Sequence, residues 1–249
     1  MLDDKYGVRA RQNELLVLLK QVDELLTKNG IKYSLSGGSL LGAIRHNGFI
    51  PWDDDVDIMV DRSNFEKIRT LCSSDELDGM DFKRLLWIYR FQEKGHNETS
   101  LNVPTVDVFV IDNCPNNSIV RKFKILLIKC LQGMMKSEIE YSKHGILLKL
   151  CLWSTHILGK LFTDKFKFKI YDKVSRIGNG KSTKRKGCYN DIFRAVSLNY
   201  PSTVMDSVIY HTFEDTEMPI IAQYDDYLKI QYGDYMTPPK ECDRVPEHT

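Results

Sequence analysis

Apolar residues recur at intervals of three and four along residues 15–26, which predicts an amphipathic helix with one buried face. Apolar and polar residues then alternate singly along residues 31–36, which is the pattern of a half-buried strand. The run Gly-Gly-Ser at residues 37–39 interrupts this strand, and residues 39–45 predict a short helix. The chain therefore begins with a helix, a strand and a second helix.

The remaining pattern predicts a longer alternation of strands and helices. We expect strands over residues 56–60, 83–91 and 105–111, and helices over residues 63–72, 119–159, 165–177 and 223–232. Ser63, with Glu66 three residues later, matches a capping box at the start of the third helix. The polar, glycine-containing stretch at residues 178–187 predicts a loop.

This order of elements indicates an α+β fold, with a mixed sheet flanked by helices and a helical C-terminal part. We place one domain, the core, over residues 1–118. A mostly helical and basic extension that packs on this core is expected over residues 119–249. A chain of 249 residues is long enough for such an arrangement.

Two aspartates interrupt the apolar strand predicted to end at residue 60. Alternate residues of a strand point to the same side, so Asp55 and Asp57 project together while Val56 and Ile58 face the core. Neighbouring carboxylates repel each other unless a cation lies between them, and Mg²⁺ or Mn²⁺ would supply that charge. The alternative is a solvated acidic turn, a reading that stays open for the preceding pair, Asp53 and Asp54.

Asp107 is a lone acid within the apolar strand predicted at residues 105–111. If this strand lies beside the first acidic strand, Asp107 completes a trio of carboxylates that binds metal or accepts a proton from an attacking hydroxyl. The alternative is a buried aspartate satisfied by hydrogen bonds.

Gly37, Gly38 and Ser39 precede the acidic strand and open the short helix. Small residues allow a ligand to approach the backbone, and the N–H groups at a helix start attract phosphate. Alone, these three residues indicate only a strand-to-helix turn. Together with the paired aspartates they predict a phosphate-binding site.

Residues 38–58, GSLLGAIRHNGFIPWDDDVDI, resemble the LicD family of the polymerase-β-like nucleotidyltransferase superfamily, to which the fukutin proteins are distantly related. A second resembling block spans residues 213–239 and includes Phe213-Glu214 and Tyr232-Gly233-Asp234-Tyr235. Residues 121–186 contain no recognised motif.

The resemblance implies a nucleotidyltransferase-like catalytic core and a metal-dependent phosphotransferase. Such enzymes move the phospho-alcohol of a CDP-linked donor, such as CDP-choline, to a sugar hydroxyl and release CMP. By this resemblance Asp55, Asp57 and Asp107 are the catalytic carboxylates and hold the metal. Gly37, Gly38, Ser39 and Arg45 are expected to contact the donor phosphates.

The sequence departs from the family pattern before and after the third aspartate. Arg90 is the one plausible replacement for a basic, threonine-containing element, and the usual proline after that aspartate is Val110. These departures leave the donor alcohol open. We also expect Trp52 at the substrate site. Trp52, Trp87 and Tyr89 are candidates for an aromatic box around a quaternary ammonium, although the core is the favoured place for such rings.

Charge is distributed unevenly along the chain. The formal net charge is +1, which gives no signal for nucleic acid, yet residues 121–186 contain 17 Lys and Arg against 4 Asp and Glu. This block predicts contact with phosphates or with an anionic membrane surface, against the alternative of core helices with solvated lysines. Scattered cysteines and the lack of an apolar leader favour the cytoplasm, at the inner face of the membrane.

The sequence therefore predicts an enzyme of polysaccharide biosynthesis, of the kind that modifies cell-wall teichoic acid or capsule. Its partners would be a CDP-activated alcohol donor and a glycan or lipid-linked sugar acceptor. Two alternatives stay open: nucleotidyl transfer from an NTP to a small molecule, and a non-catalytic module that binds membrane surfaces. His46 and His248 receive no role.

Overall fold

The structure is a computed structural model that describes residues 4–73, 77, 79–95, 103–136 and 146–246, with the backbone alone for residues 146–152. The helices are α1 Arg9–Lys28, α2 Gly37–His46, α3 Arg62–Leu71, α4 Ser118–Met135, α5 Ile146–Lys160, α6 Asp164–Ser175 and α7 Tyr224–Tyr232. The strands are β1 Ser34–Leu35, β2 Val56–Asp61, β3 Met80–Leu85, β4 Ile88–Glu93, β5 Thr105–Asn113, β6 Arg185–Cys188, β7 Tyr200–Pro201, β8 Val208–Phe213 and β9 Thr216–Ile221. Two short 3₁₀ helices cover Ala195–Ser197 and Glu241–Asp243.

The chain divides into two compact units, of which the first comprises Met1–Leu85, Tyr89–Val110 and Thr203–Thr249. Its sheet has the strand order β1-β2-β5-β4-β3, and β8 and β9 form a separate antiparallel hairpin. The predicted apolar face of α1 is buried, as shown by Leu15, Leu19 and Leu26 at 0% exposure. The core of this unit therefore lies where the periodicity placed it.

The connection from α2 to β2 depends on one left-handed residue and one close backbone approach. Asn47 ends α2 in the left-handed conformation, with a φ of 54°. A Cβ on Gly42 would lie 2.4 Å from the carbonyl oxygen of Gly48, so a side chain at residue 42 would collide with the backbone that follows the helix. The absence of a side chain at Gly42 allows the chain to fold back against α2 and enter the acidic strand.

The second unit comprises Leu86–Ile88 and Ile111–Ser202. Within it the end of β5 pairs with β6, and β6 pairs with β7, both antiparallel. Its core is a cluster of buried side chains from α4, α6 and the connecting segments: Trp87, Cys114, Ile128, Leu131, Met135, Tyr171, Val174, Tyr189 and Val196. Trp87 therefore belongs to a hydrophobic core, as the favoured reading of its sequence position expected.

The α+β fold with a nucleotidyltransferase-like core is confirmed, while several details of the prediction were wrong. Residues 83–91 form parts of two strands, β3 and β4, joined by a turn in which Leu86 has a φ of 55°. Apolar residues occupy this turn, so no glycine or asparagine marked it in the sequence. Sequence analysis also did not anticipate strands β6 to β9, and β6 begins inside the predicted loop at residues 178–187.

The expected helix over residues 119–159 corresponds to α4 and α5, and residues 137–145 lie outside the described part of the chain. Within the described ranges, no helix is both long enough and apolar enough to cross a bilayer. The proposed division of the chain at residue 118 stays a prediction.

The capping box predicted at Ser63 was wrong, because Asp61 caps α3. The Asp61 carboxylate accepts a hydrogen bond from the Asn64 amide at 2.8 Å. We predict that Asp61→Ala lowers the free energy of unfolding by about 1 kcal/mol, the usual effect of losing an N-cap. Ser63→Ala is the matched control and should change it by less than about 0.5 kcal/mol. Urea denaturation measures both, and equal losses would contradict the assignment of the cap.

Candidate active site

Aspartates line one side of β2 and of the segment that leads into it. Exposure alternates residue by residue, with Asp54, Val56 and Ile58 buried and Asp53, Asp55 and Asp57 half-buried. This alternation places the second set on one side of the extended chain, as the strand period predicts. Val56 and Ile58 are fully buried at 0% exposure, which confirms their predicted place in the core.

The start of α2 lies directly against two of these carboxylates. A Cβ on Gly37 would lie 2.9 Å from Asp57 Oδ2, and a Cβ on Gly38 would lie 2.7 Å from Asp53 Oδ2. Gly37 also has a φ of 52°, a conformation that other residues adopt with strain. A side chain at either glycine would therefore displace a carboxylate at the helix start, and at Gly37 it would also strain the backbone. Asp53, which could not be distinguished from a turn residue on its sequence alone, is one of these two acidic side chains.

The peptide groups of Asp57 are held by two serines of the β1–α2 segment. Its N–H donates to Ser39 Oγ at 2.9 Å, and its carbonyl accepts from the Ser36 N–H at 2.9 Å. Ser39 uses one lone pair of its hydroxyl in this bond and keeps its proton for donation. The predicted phosphate ligand thus also fixes the position of the predicted metal ligand.

Asp107 lies on β5, which is the neighbour of β2 in the sheet, the arrangement on which a trio of carboxylates depends. It is directly opposite Arg90 in the antiparallel pairing of β4 and β5. Arg90 Nη2 donates to Asp107 Oδ2 at 2.9 Å, and both side chains are less than a fifth exposed, at 19% and 18%. Arg90, expected at the substrate, is therefore the charge partner of the third aspartate in this structure.

Arg45 is held at the end of α2 by neutral acceptors. Its Nη1 donates to the Tyr235 carbonyl at 2.9 Å, and its Nε donates to His46 Nε2 at 3.0 Å. Burial lowers the pKa of Arg45, and the charge of Arg244 lowers it further. Burial and the neighbouring Arg45 charge also lower the pKa of His46, which keeps its imidazole neutral and able to accept this bond.

The three candidate aromatic residues have separate ring neighbours. The guanidinium groups of Arg45 and Arg244 lie 5.9 and 5.2 Å from the ring centre of Trp52. Tyr89 packs against Phe65 and Phe82, and Trp87 packs against Tyr171. The aromatic box, which the sequence offered as an alternative, stays a prediction. His248 lies outside the described residues.

Two residues of α1 that sequence analysis did not single out support the acidic segment. Gln12 is 3% exposed, and its Nε2 donates to the carbonyls of Ile50 at 3.0 Å and Asp53 at 2.9 Å. Burial lowers the pKa of Arg11, while Asp54 and Asp55 act on it in the opposite direction, which places its positive charge near these carboxylates. One feature of the sequence could have indicated the role of Gln12: this polar residue lies one helical turn before Leu15, on the apolar face of the first helix.

Glu214, from the second motif block, fastens the loop after α2. Its carboxylate accepts hydrogen bonds from both terminal nitrogens of Arg9, at 3.1 and 2.5 Å, and from the Phe49 amide at 3.1 Å. In the same block, Tyr227 forms a hydroxyl–hydroxyl hydrogen bond of 3.0 Å with Ser36. The two motif blocks are therefore in direct contact in the first unit.

The site thus offers half-buried carboxylate oxygens, a glycine-rich helix start and a hydroxyl within one unit. Among the described residues, no group of three or more His, Cys, Asp and Glu side chains is arranged as a metal cluster. The roles assigned to Asp55, Asp57, Asp107, Gly37, Gly38, Ser39, Arg45, Trp52 and Arg90 stay predictions.

An acidic strand packed against the glycine-rich start of a helix, within an α+β sheet, defines a nucleotidyltransferase-type fold. The family model described as LicD/FKTN/FKRP, nucleotidyltransferase domain, matches residues 30–124. This match confirms the resemblance to the LicD family over these residues.

Individual relatives agree with this resemblance. The lipopolysaccharide cholinephosphotransferase LicD of Haemophilus influenzae is 25% identical over 265 residues, covering 98% of this chain and 97% of that protein. The ribitol 5-phosphate transferase FKRP of Homo sapiens is 43% identical over 61 residues, which cover 23% of this chain and 12% of that protein. An uncharacterized protein of Rickettsia typhi is 53% identical over 57 residues, covering 22% of this chain and 18% of that protein.

We predict that Glu214→Gln lowers the free energy of unfolding by about 1–3 kcal/mol at about pH 7, because charged hydrogen bonds to Arg9 and Phe49 are lost. Burial raises the pKa of Glu214, but the bonds from Arg9 and Phe49 outweigh it and hold the pKa below its ordinary value. A carboxylate whose pKa is lower in the folded state stabilises the fold at pH values above its unfolded pKa. This stabilisation is lost as the pH falls through the folded pKa. The difference between variant and wild type should therefore shrink below about pH 4.

Asp215→Asn is the control for Glu214→Gln, since Asp215 is exposed and its ion pair with Lys20 is screened by solvent. Its unfolding free energy should stay close to that of the wild type at each pH. Denaturant unfolding across this pH range measures all three proteins. If the difference in unfolding free energy between Glu214→Gln and the wild type stayed constant with pH, the charged character of this contact would be contradicted.

Proposed function

We propose that this protein transfers a phospho-alcohol group from a CDP-linked donor to a sugar hydroxyl of a cell-surface glycan or its lipid-linked precursor, with release of CMP. The observation that carries the proposal is the approach of the Asp53 and Asp57 carboxylates to Gly38 and Gly37 at the start of α2. Similarity to the LicD family over residues 30–124 and to two relatives, a cholinephosphotransferase and a ribitol 5-phosphate transferase, supports it.

The donor atoms at this site fit a hard divalent cation. Asp55 and Asp57 supply carboxylate oxygens from one side of the acidic segment, and both are half-buried. Mg²⁺ favours oxygen ligands and is commonly bound by one or two carboxylates together with substrate phosphates. When bound, Mg²⁺ or Mn²⁺ would neutralise the diphosphate and the charge that develops during transfer.

The start of α2 suits the donor diphosphate. Its first intrahelical bond runs from the Leu40 N–H to the Ser36 carbonyl at 3.0 Å, so the amides of residues 37–39 precede the hydrogen-bonding pattern of the helix. Amides in this position carry positive partial charge and favour phosphate. The Ser39 hydroxyl, whose oxygen already accepts from Asp57, would donate its proton to a phosphate oxygen.

The transfer itself requires an acceptor oxygen in line with the departing CMP. The acceptor hydroxyl attacks the phosphorus that bears the alcohol, the bond from that phosphorus to the bridging oxygen breaks, and CMP leaves with the electron pair. The hydroxyl proton passes to a carboxylate or to solvent. We assign Asp107 as the third carboxylate, held in place on β5 by its ion pair with Arg90.

We predict that Asp57→Asn lowers the rate of CMP release by about a hundredfold or more, because a charged ligand at the reacting phosphates is lost. Asp61→Asn is the matched control, since it makes the same change on the same strand at a residue that caps α3. Asparagine caps a helix as well as aspartate does, so this control should retain both stability and activity. Unchanged CMP release by Asp57→Asn would contradict the assignment of the carboxylate.

The released product separates this reaction from nucleotidyl transfer. Transfer from a CDP-alcohol yields CMP, whereas transfer of a nucleotide from an NTP yields pyrophosphate. Incubation of each of CDP-choline, CDP-ribitol, CDP-glycerol, CTP and ATP with a glycan acceptor that offers free sugar hydroxyls, followed by ion-exchange separation of the nucleotides, identifies both the donor and the reaction. Pyrophosphate from CTP or ATP, without CMP from any CDP-alcohol, would replace the proposal with nucleotidyl transfer.

A further inference from the structure

Two helices of the second unit expose apolar faces. On α4 the exposed residues are Ile119, Val120, Phe123 and Leu126, and on α5 they are Trp153, Ile157 and Leu158, followed by Leu161 in the turn directly after the helix. These eight side chains, which we call the α4–α5 surface, are between 42% and 76% exposed. Their spacings of three and four residues place each set on one side of its helix.

Besides its exposed apolar face, α4 has a second apolar face, which is buried. Ile128, Leu131 and Met135 of the same helix belong to the core of the second unit. The face between α4 and α5 is used as well, since a Cβ on Gly159 would lie 2.2 Å from the Met134 carbonyl oxygen. The exposed residues are therefore additional to those that hold the unit together, and such a surface commonly binds another apolar surface.

The charge around the α4–α5 surface indicates the kind of partner. Residues 121–186 contain 17 Lys and Arg against 4 Asp and Glu. Exposed lysines stand next to exposed apolar residues in the chain: Lys122 beside Phe123, and Lys160 beside Leu161. A second copy of this chain would bring an equally basic surface against the first. An anionic bilayer instead attracts the lysines and accepts the apolar side chains.

We propose that the α4–α5 surface binds the face of an anionic phospholipid bilayer, with its apolar side chains at the boundary between headgroups and acyl chains. The neighbouring lysines contact lipid phosphates while their aliphatic stems cover apolar area. The helices lie on the bilayer rather than cross it. This inference rests on the second unit alone and does not depend on the proposed reaction.

Flotation of the full chain with liposomes tests the inference. We expect the wild type to float with vesicles of phosphatidylcholine and phosphatidylglycerol, and to stay unbound with phosphatidylcholine alone. The triple variant Phe123→Ser, Leu126→Ser, Leu161→Ser should lower the partition coefficient by about a hundredfold, through loss of inserted apolar area. The triple variant Lys122→Gln, Lys160→Gln, Lys165→Gln should lower it by about a hundredfold, at about fivefold for each lysine.

Val17→Ser with Tyr210→Ser is the control, since both residues are 59% exposed and lie in the first unit. This double variant should float as the wild type does, and all variants should keep the wild-type melting temperature. Loss of flotation in the lysine variant alone would indicate attraction to anions without insertion and would overturn the proposal. If the wild type did not float but formed a stable dimer, and the serine variant were a monomer, the proposal would be overturned in favour of self-association.

Discussion

The candidate site depends on how the peptide groups of Asp57 are held. The Ser39 hydroxyl accepts its N–H, and the Ser36 N–H donates to its carbonyl, each at 2.9 Å. These two bonds join β2 to the segment that opens α2, so the carboxylate and the helix start keep one relative position. With this geometry Asp57 Oδ2 reaches the space beside Gly37, and a larger residue there would displace it. A carboxylate and the glycine-rich start of α2 are thereby placed together, as a preorganised site requires.

The C-terminal segment of the first unit stabilises this arrangement from outside. Glu214 binds Arg9 and the Phe49 amide, Tyr227 binds Ser36, and the Tyr235 carbonyl binds Arg45. These contacts restrain α2 at both of its ends. The second motif block, far from the aspartates in sequence, thus acts on the site by positioning the helix, and its acid Glu214 is occupied by Arg9 and by backbone.

Local patterns predicted the parts of the site that depend on local geometry. The alternation of a strand was enough to place Asp55 and Asp57 on one side and Val56 in the core. The pair of Arg90 and Asp107 depends on the register of β4 on β5, which joins residues 17 positions apart on two different strands. The contact of Arg9 with Glu214 joins residues 205 positions apart, which no periodicity in a single sequence reveals. The same limit explains why the short strands β6 and β7, paired across distant segments, were missed.

The proposed function requires that the acidic segment and the start of α2 together bind a CDP-linked alcohol with a divalent cation. Thermal denaturation of the full chain with CDP-choline, CDP-ribitol, CDP-glycerol, CDP, CTP and ATP, each with and without Mg²⁺, tests this binding, because a ligand of the folded state raises the melting temperature. We expect a Mg²⁺-dependent increase of the melting temperature with one CDP-alcohol that exceeds the increase with CDP. An increase only with CTP or ATP would contradict the proposed function, as would a melting temperature that none of these nucleotides raises.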